Sequence, residues 1–171
     1  LLTKHTTIPV PDKETIEADV TNDLLKIVVV NRYQKAKPAV GFIKGFGLKI
    51  GAISGSVAHD SHNLISIGAD DESIMRALSA INENRGGLVV VNGDNENILP
   101  LPIAGLMSDK ACGNVANEYK AMNALVKEMG CTLNAPFMTM AFMSLLVIPE
   151  LKLGDRGLFD GIKFNFIDLQ S

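Results

Sequence analysis

The sequence predicts an α+β fold: a mostly antiparallel or mixed sheet in a two-layer arrangement, with two amphipathic helices packed on it. Three observations predict it. Apolar residues alternate with polar ones near the N-terminus, two later segments repeat them at helical spacing on one face, and short apolar runs separate those segments.

Within residues 15–20, Ile16, Ala18 and Val20 alternate against Glu17 and Asp19, the period of a half-buried strand. Residues 24–30 continue as a more buried strand, and Asn22-Asp23 between them predicts a turn, closing an opening hairpin. Asp70-Asp71-Glu72 places acidic groups at a helix start, where they cap free amides and face the positive end of the dipole. Ile74, Ala77, Leu78 and Ile81 follow at i, i+3, i+4 and i+7, and Gly86-Gly87 supplies the stop. Leu88-Val89-Val90-Val91 reads as a buried strand, and Asn92-Gly93-Asp94-Asn95 as a tight turn into Ile98-Leu99. Ser108-Asp109 is positioned to cap a second helix, whose apolar positions Val115, Tyr119, Met122, Val126 and Met129 precede Gly130. Ile162, Phe164 and Phe166 alternate with Lys163 and Asn165 to form a last strand. The chain has no internal repeat and no low-complexity tract.

A chain of 171 residues makes one domain, 1–171, burying roughly two thirds of the surface it exposes unfolded. Its 47% hydrophobic and 20% charged residues are those of a globular protein. A net charge of −3 argues against nucleic acid as the main partner, because phosphate binding needs clustered basic side chains. Lys35, Lys37, Lys44 and Lys49 form a local basic run that is expected on a solvated face. Cys112 and Cys131 are too few for a disulfide framework, and no Cys-x-x-Cys pair occurs, so a reducing cytoplasm is the expected location. The apolar stretch 135–148 falls short of the ~20 residues of a spanning helix, and no membrane partner is expected. Leu1 is not an initiator Met and residues 3–7 are not a secretion signal, so the chain reads as a piece of something longer.

Chemistry concentrates in His59, Asp60, Ser61, His62 and Asn63, between the apolar runs that flank them. Imidazoles bind metals or move protons near neutral pH, and a neighbouring carboxylate can fix a ring tautomer. The loop supplies at most two His and one Asp, whereas a catalytic zinc usually takes three protein ligands, so it cannot make a metal site alone. The plainer alternative is a turn in which Asp60, Ser61 and Asn63 bond to their own backbone. Five such residues in a row at strand ends favour the functional reading. A Ser-His-Asp nucleophile is disfavoured, since Ser61 lacks the Gly-x-Ser-x-Gly elbow.

The run Gly45-Phe-Gly47-Leu-Lys-Ile-Gly51 has its third glycine one residue late for a dinucleotide fingerprint. Its glycines read as turns, bulges or points of close backbone approach. Met138, Met140 and Met143 fill core gaps or belong to a surface covered by a further domain.

Four blocks extend from the first strands to near the C-terminus: Gly41-Phe-Ile-Lys-Gly-Phe-Gly-Leu-Lys-Ile-Gly51-Ala; Ser56-Val-Ala-His-Asp-Ser-His-Asn63; Leu101-Pro-Ile-Ala-Gly-Leu-Met-Ser108; and Pro136-Phe-Met-Thr139 with Val147-Ile-Pro-Glu-Leu-Lys-Leu153 and Gly157-Leu-Phe-Asp160. Together they resemble the C-terminal domain of bacterial and archaeal adenine deaminases, of the amidohydrolase superfamily. Where that family usually reads Glu-Arg-His after the strand ending at Val30, this chain reads Asn31-Arg32-Tyr33, so no role of that histidine carries over. The resemblance implies a parent hydrolase of purine salvage that converts adenine and water to hypoxanthine and ammonia. It also implies a divalent metal (manganese, iron or zinc) held in a separate (β/α) barrel domain. That barrel is the implied partner, and this chain alone is expected to be inactive and to bind no metal tightly.

On that resemblance the 59–63 loop faces the barrel mouth, where His59 and His62 act as hydrogen-bond partners first and direct ligands second. The competing class is a structural or oligomerisation module, compatible with a homo-oligomer, in which the loop serves only the fold. A free-standing metal or nucleotide binder is a third. Cytidine-deaminase-type zinc chemistry is disfavoured, because Pro-Cys-x-x-Cys is absent.

Overall fold

The strand β1, Leu25–Val30, sits inside the fold because its Leu-Lys-Ile-Val-Val-Val sequence offers apolar side chains to both faces of a sheet. It is flanked by β2 (Ala39–Ile43) and β4 (Leu64–Gly68), and β4 pairs in turn with β3 (Ala52–Gly55). The strands β5 (Gly87–Asn92) and β6 (Asn95–Pro100) complete a sheet of order β2-β1-β4-β3-β5-β6, in which every neighbouring pair is antiparallel. The computed structural model describes residues 16–168 of the chain.

The α+β class and the antiparallel sheet are those the sequence predicts. The helices take opposite faces. On one, α1 (Asp71–Glu83) lays Ile74, Ala77 and Ile81 against Val28, Ala52, Val89 and Val91. On the other, α2 (Cys112–Glu128) and α3 (Pro136–Phe142) bring Met122, Val126, Phe137 and Met140 onto Ile27, Ile53, Ile65 and Val90. A small sheet of β7 (Leu151–Gly154), β8 (Gly157–Asp160) and β9 (Asn165–Ile167) seats Leu153 in that same cluster.

The start of α1 follows the sequence reading: the Asp70 carboxylate accepts from the Ser73 amide at 2.7 Å and from its hydroxyl at 2.9 Å. Its end differs in detail. Arg85 takes the left-handed position (φ 58°), and the Gly86 amide reaches back to the Ile81 carbonyl at 2.9 Å in a Schellman closure. Gly93-Asp94 forms the tight β5–β6 turn, and Arg76 of α1 donates to the carbonyls of both residues.

Three expectations are corrected. Of the opening hairpin, Thr15 lies outside the described residues, and a single bridge between Asp19 and Leu24 replaces the first strand. The Asp19 carboxylate accepts from the amides of Thr21 and Asn22, so its side chain bends the chain into a 3-10 turn, Val20–Asn22. The last strand begins at Asn165 because the Asp160 carboxylate accepts from the amides of Ile162 and Lys163 and turns the chain there, leaving Ile162 and Phe164 exposed. The second helix starts at Cys112 after Ala111, without a side-chain cap, while Ser108 accepts from the Lys110 amide instead.

The sequence reading also lacked α3, which begins with Pro136 at its first turn and buries Phe137, Met140 and Ala141. Met140 is core, whereas Met138 is exposed.

Gly51 marks the tightest packing against the sheet. Its φ is +73°, and an added Cβ would lie 2.0 Å from the Val91 carbonyl oxygen. Gly51→Ala is expected to destabilise the domain by about 3 kcal/mol or more, read as a shift of the urea midpoint at constant m-value.

Lys152 is buried on β7, its ammonium donating to the carbonyls of Leu151 at 3.2 Å and Pro149 at 3.4 Å. Burial lowers its pKa below the ordinary 10.5. The unfolded chain therefore holds this proton to higher pH than the folded one, and stability rises with pH up to about 10.5. Lys152→Met is expected to raise Tm at pH 7, with the gain shrinking as the pH of the melting experiment approaches 10.5.

Candidate functional site

The antiparallel register aligns one row of strand ends. Val30 pairs with Leu64, Gly55 with Leu88, and Gly87 with Pro100. The β1–β2 connection, the β3–β4 loop and the segment after β6 consequently emerge at the same end of the large sheet. The 59–63 cluster lies in the β3–β4 loop. The register therefore gathers at one place residues that are about thirty to seventy positions apart in sequence, as in the bonds from Arg32 to His62 and to Ala104.

The five predicted residues do not all play one part. Asn63 is only 2% exposed and serves the fold: its carbonyl oxygen accepts from the Arg32 amide at 3.3 Å, and its amide donates to the Ser61 hydroxyl at 3.1 Å. Asp60 and Ser61 are exposed, while His59 and His62 are half-buried. The two imidazole centroids stand 5.7 Å apart, edge to face, and the His59 ring also lies 5.1 Å from that of Phe142 at the end of α3. The His59 amide donates to the Ala141 carbonyl at 3.3 Å, which fixes the loop to that helix.

His62 is the most constrained of the five. Its backbone is left-handed (φ 49°), and its amide donates to the Ala58 carbonyl at 2.6 Å. Its Nδ1 is shut off from solvent without a hydrogen-bond partner. An unpaired buried N–H is rarer and costlier than an unpaired lone pair, which favours Nε2 over Nδ1 as the donor nitrogen of a neutral ring.

A metal-binding histidine is built the other way, with its second nitrogen donating to a carboxylate or carbonyl. No such acceptor faces Nδ1 of His62. Among the described residues, no group of three or more His, Cys, Asp or Glu side chains is placed to hold a metal ion.

Sequence reasoning missed the residues that hold the loop. Arg32 donates from Nη1 to the His62 carbonyl at 3.4 Å and from Nη2 to the Ala104 carbonyl at 2.7 Å. The Tyr33 hydroxyl donates to the Ser61 carbonyl at 2.7 Å, and the Asn31 side chain donates to Asp155 of the β7–β8 turn at 2.6 Å. The available signal was the abrupt change from Val28-Val29-Val30 to Asn31-Arg32-Tyr33, polar groups placed directly at a strand end. Ser56 is a second such residue. Its hydroxyl donates to the Gly105 carbonyl at 2.5 Å and accepts from the Gly87 amide at 2.9 Å.

On the opposite face an apolar groove of about 520 Å3 runs beside α1 over β1 and β2, between Val28, Val40, Leu64 and Leu78. Its charged groups, Lys26 and Asp71, pair with each other at 2.5 Å, so it presents no reacting group. The four lysines of the basic run are exposed, as expected of a solvated face. No helix among the described residues is long and apolar enough to cross a membrane.

The sequence matches the family described as the adenine deaminase C-terminal domain over residues 1–165, and the chain belongs to that family. It is 52% identical over 165 residues to an adenine deaminase of Sulfurovum sp., covering 96% of this chain and 31% of that protein. A Methanothermobacter thermautotrophicus adenine deaminase is 50% identical over 155 residues, covering 91% of this chain and 29% of the relative. For the Salinibacter ruber adenine deaminase the identity is 49% over 164 residues, covering 95% and 30%. The chain thus spans about three-tenths of the length of these curated relatives.

Because Ser56 is fully buried and joins two backbone segments, its loss leaves the Gly87 amide and the Gly105 carbonyl unpaired. Ser56→Ala is expected to destabilise the domain by about 2 kcal/mol, measured by denaturant unfolding.

Proposed function

We propose that this chain is the C-terminal domain of a parent adenine deaminase, a hydrolase of purine salvage, and that its 59–63 loop completes or covers an active site built mainly by the remaining chain. The observation that carries the reading is the His62 ring. It is half-buried, with an unpartnered Nδ1, on a loop that also carries exposed Asp60 and Ser61. In this reading the divalent metal and its ligands belong to the barrel domain, and this chain contributes hydrogen bonds.

A neutral imidazole N–H suits a purine, whose ring nitrogens are acceptors. His62 then orients adenine or an active-site water, while Asp60 and His59 beside it offer groups able to carry a proton to the departing amine. Ile103, Met107 and Tyr33 are exposed and lie on the segments that surround the loop, which supports apolar contact with the rest of the parent chain at this end.

The test is His62→Ala and His59→Ala in the full-length parent, assayed for ammonia release from adenine and for bound metal. His62→Ala is expected to lower kcat/KM about tenfold or more, the equivalent of one lost hydrogen bond, with metal content unchanged. Wild-type turnover and metal content in both variants would overturn the reading and leave the loop a structural element of an assembly module.

A further inference from the structure

Two residues other than glycine near the site adopt left-handed backbone: His62 at φ 49° and Ala104 at φ 56°. Such backbone costs about 1 kcal/mol or more per residue and persists only where neighbours hold it. The carbonyls of these same two residues are the acceptors of a single guanidinium, that of Arg32. The Arg32 amide also donates to Asn63, and its guanidinium lies 5.5 Å from the centre of the Tyr33 ring, whose hydroxyl bonds to the Ser61 carbonyl.

The packing is close on the far side as well. Gly105 has φ +74°, and a Cβ there would lie 2.7 Å from Nη1 of Arg32. One planar, permanently charged group therefore bridges the 59–63 loop and the 101–108 segment. Its position sets the backbone from which the His62 ring projects.

We infer that Arg32 is a positioning residue that acts on the reaction through His62. It holds the carbonyls of His62 and Ala104 together, so that the His62 ring points to a fixed place. This rests on the reading that the 59–63 loop belongs to the active site. Lysine cannot replace it, because an ammonium on a flexible stem lacks the fork that spans both carbonyls.

The experiment is a double-mutant cycle in the full-length parent: Arg32→Lys, His62→Ala and the pair, with kcat/KM, Tm and metal content for each. Arg32→Lys is expected to lower kcat/KM about tenfold with little change in Tm or metal, and to add less than about twofold in the His62→Ala background. Arg32→Ala is expected to regain part of its activity when millimolar guanidinium is added, an effect that a collapsed fold would not show. If His62→Ala is impaired while Arg32→Lys stays within twofold of wild type, or if the two losses multiply in full, the inference fails and the active-site reading stands. If His62→Ala turns over normally, the reading fails and takes this inference with it.

Discussion

Burial of the central strands on both faces governs the rest of this structure. Ile27 and Val29 of β1 face α2 and α3, while Val28 faces α1, and Ile53 and Ala52 of β3 divide in the same way. With both faces covered, a polar side chain inside the sheet must be satisfied locally. Ser54 and Ser66 are so satisfied, each donating across the β3–β4 pair to a backbone carbonyl, that of Ile65 or Ile53. Groups free to meet a ligand can then reside only where the strands end.

The antiparallel register brings several such strand ends together. It sets the ends of β1, β3 and β6 at one edge, and short contacts across that edge remove the freedom the connecting segments would otherwise have. The Gly86 and Gly105 backbones pass so closely that a Cβ on Gly86 would stand 2.3 Å from the Gly105 Cα. Ser56 joins the same two segments, and Arg32 ties the second of them to the histidine loop. The loop is thereby tied to the end of the sheet at several points.

Legibility in the sequence varied with how local each determinant is. The helix α1 was clear because its cap, its acidic first turn and its apolar stripe all lie within about fifteen consecutive residues and agree with one another. The edge strand β2 and the short strand β3 were hidden in a glycine-rich run, where side chains give little periodic signal. Their conformation comes from pairing with β1, β4 and β5. The expected first strand and the first part of the expected last strand are lost for a shared reason. An aspartate, Asp19 or Asp160, bonded to nearby backbone amides and bent a segment whose alternating pattern favoured extension.

By itself the sequence determined the α+β class, the amphipathic helices, the family and the concentration of polar chemistry at residues 59–63. All of these depend on residue type and short-range order. Tertiary structure alone decided the division of labour inside that cluster, with Asn63 taken up by the fold and His62 left with a buried, unpartnered Nδ1. It also decided the part of Arg32, because a guanidinium becomes a brace only when folding brings two carbonyls 30 and 72 residues away within its reach.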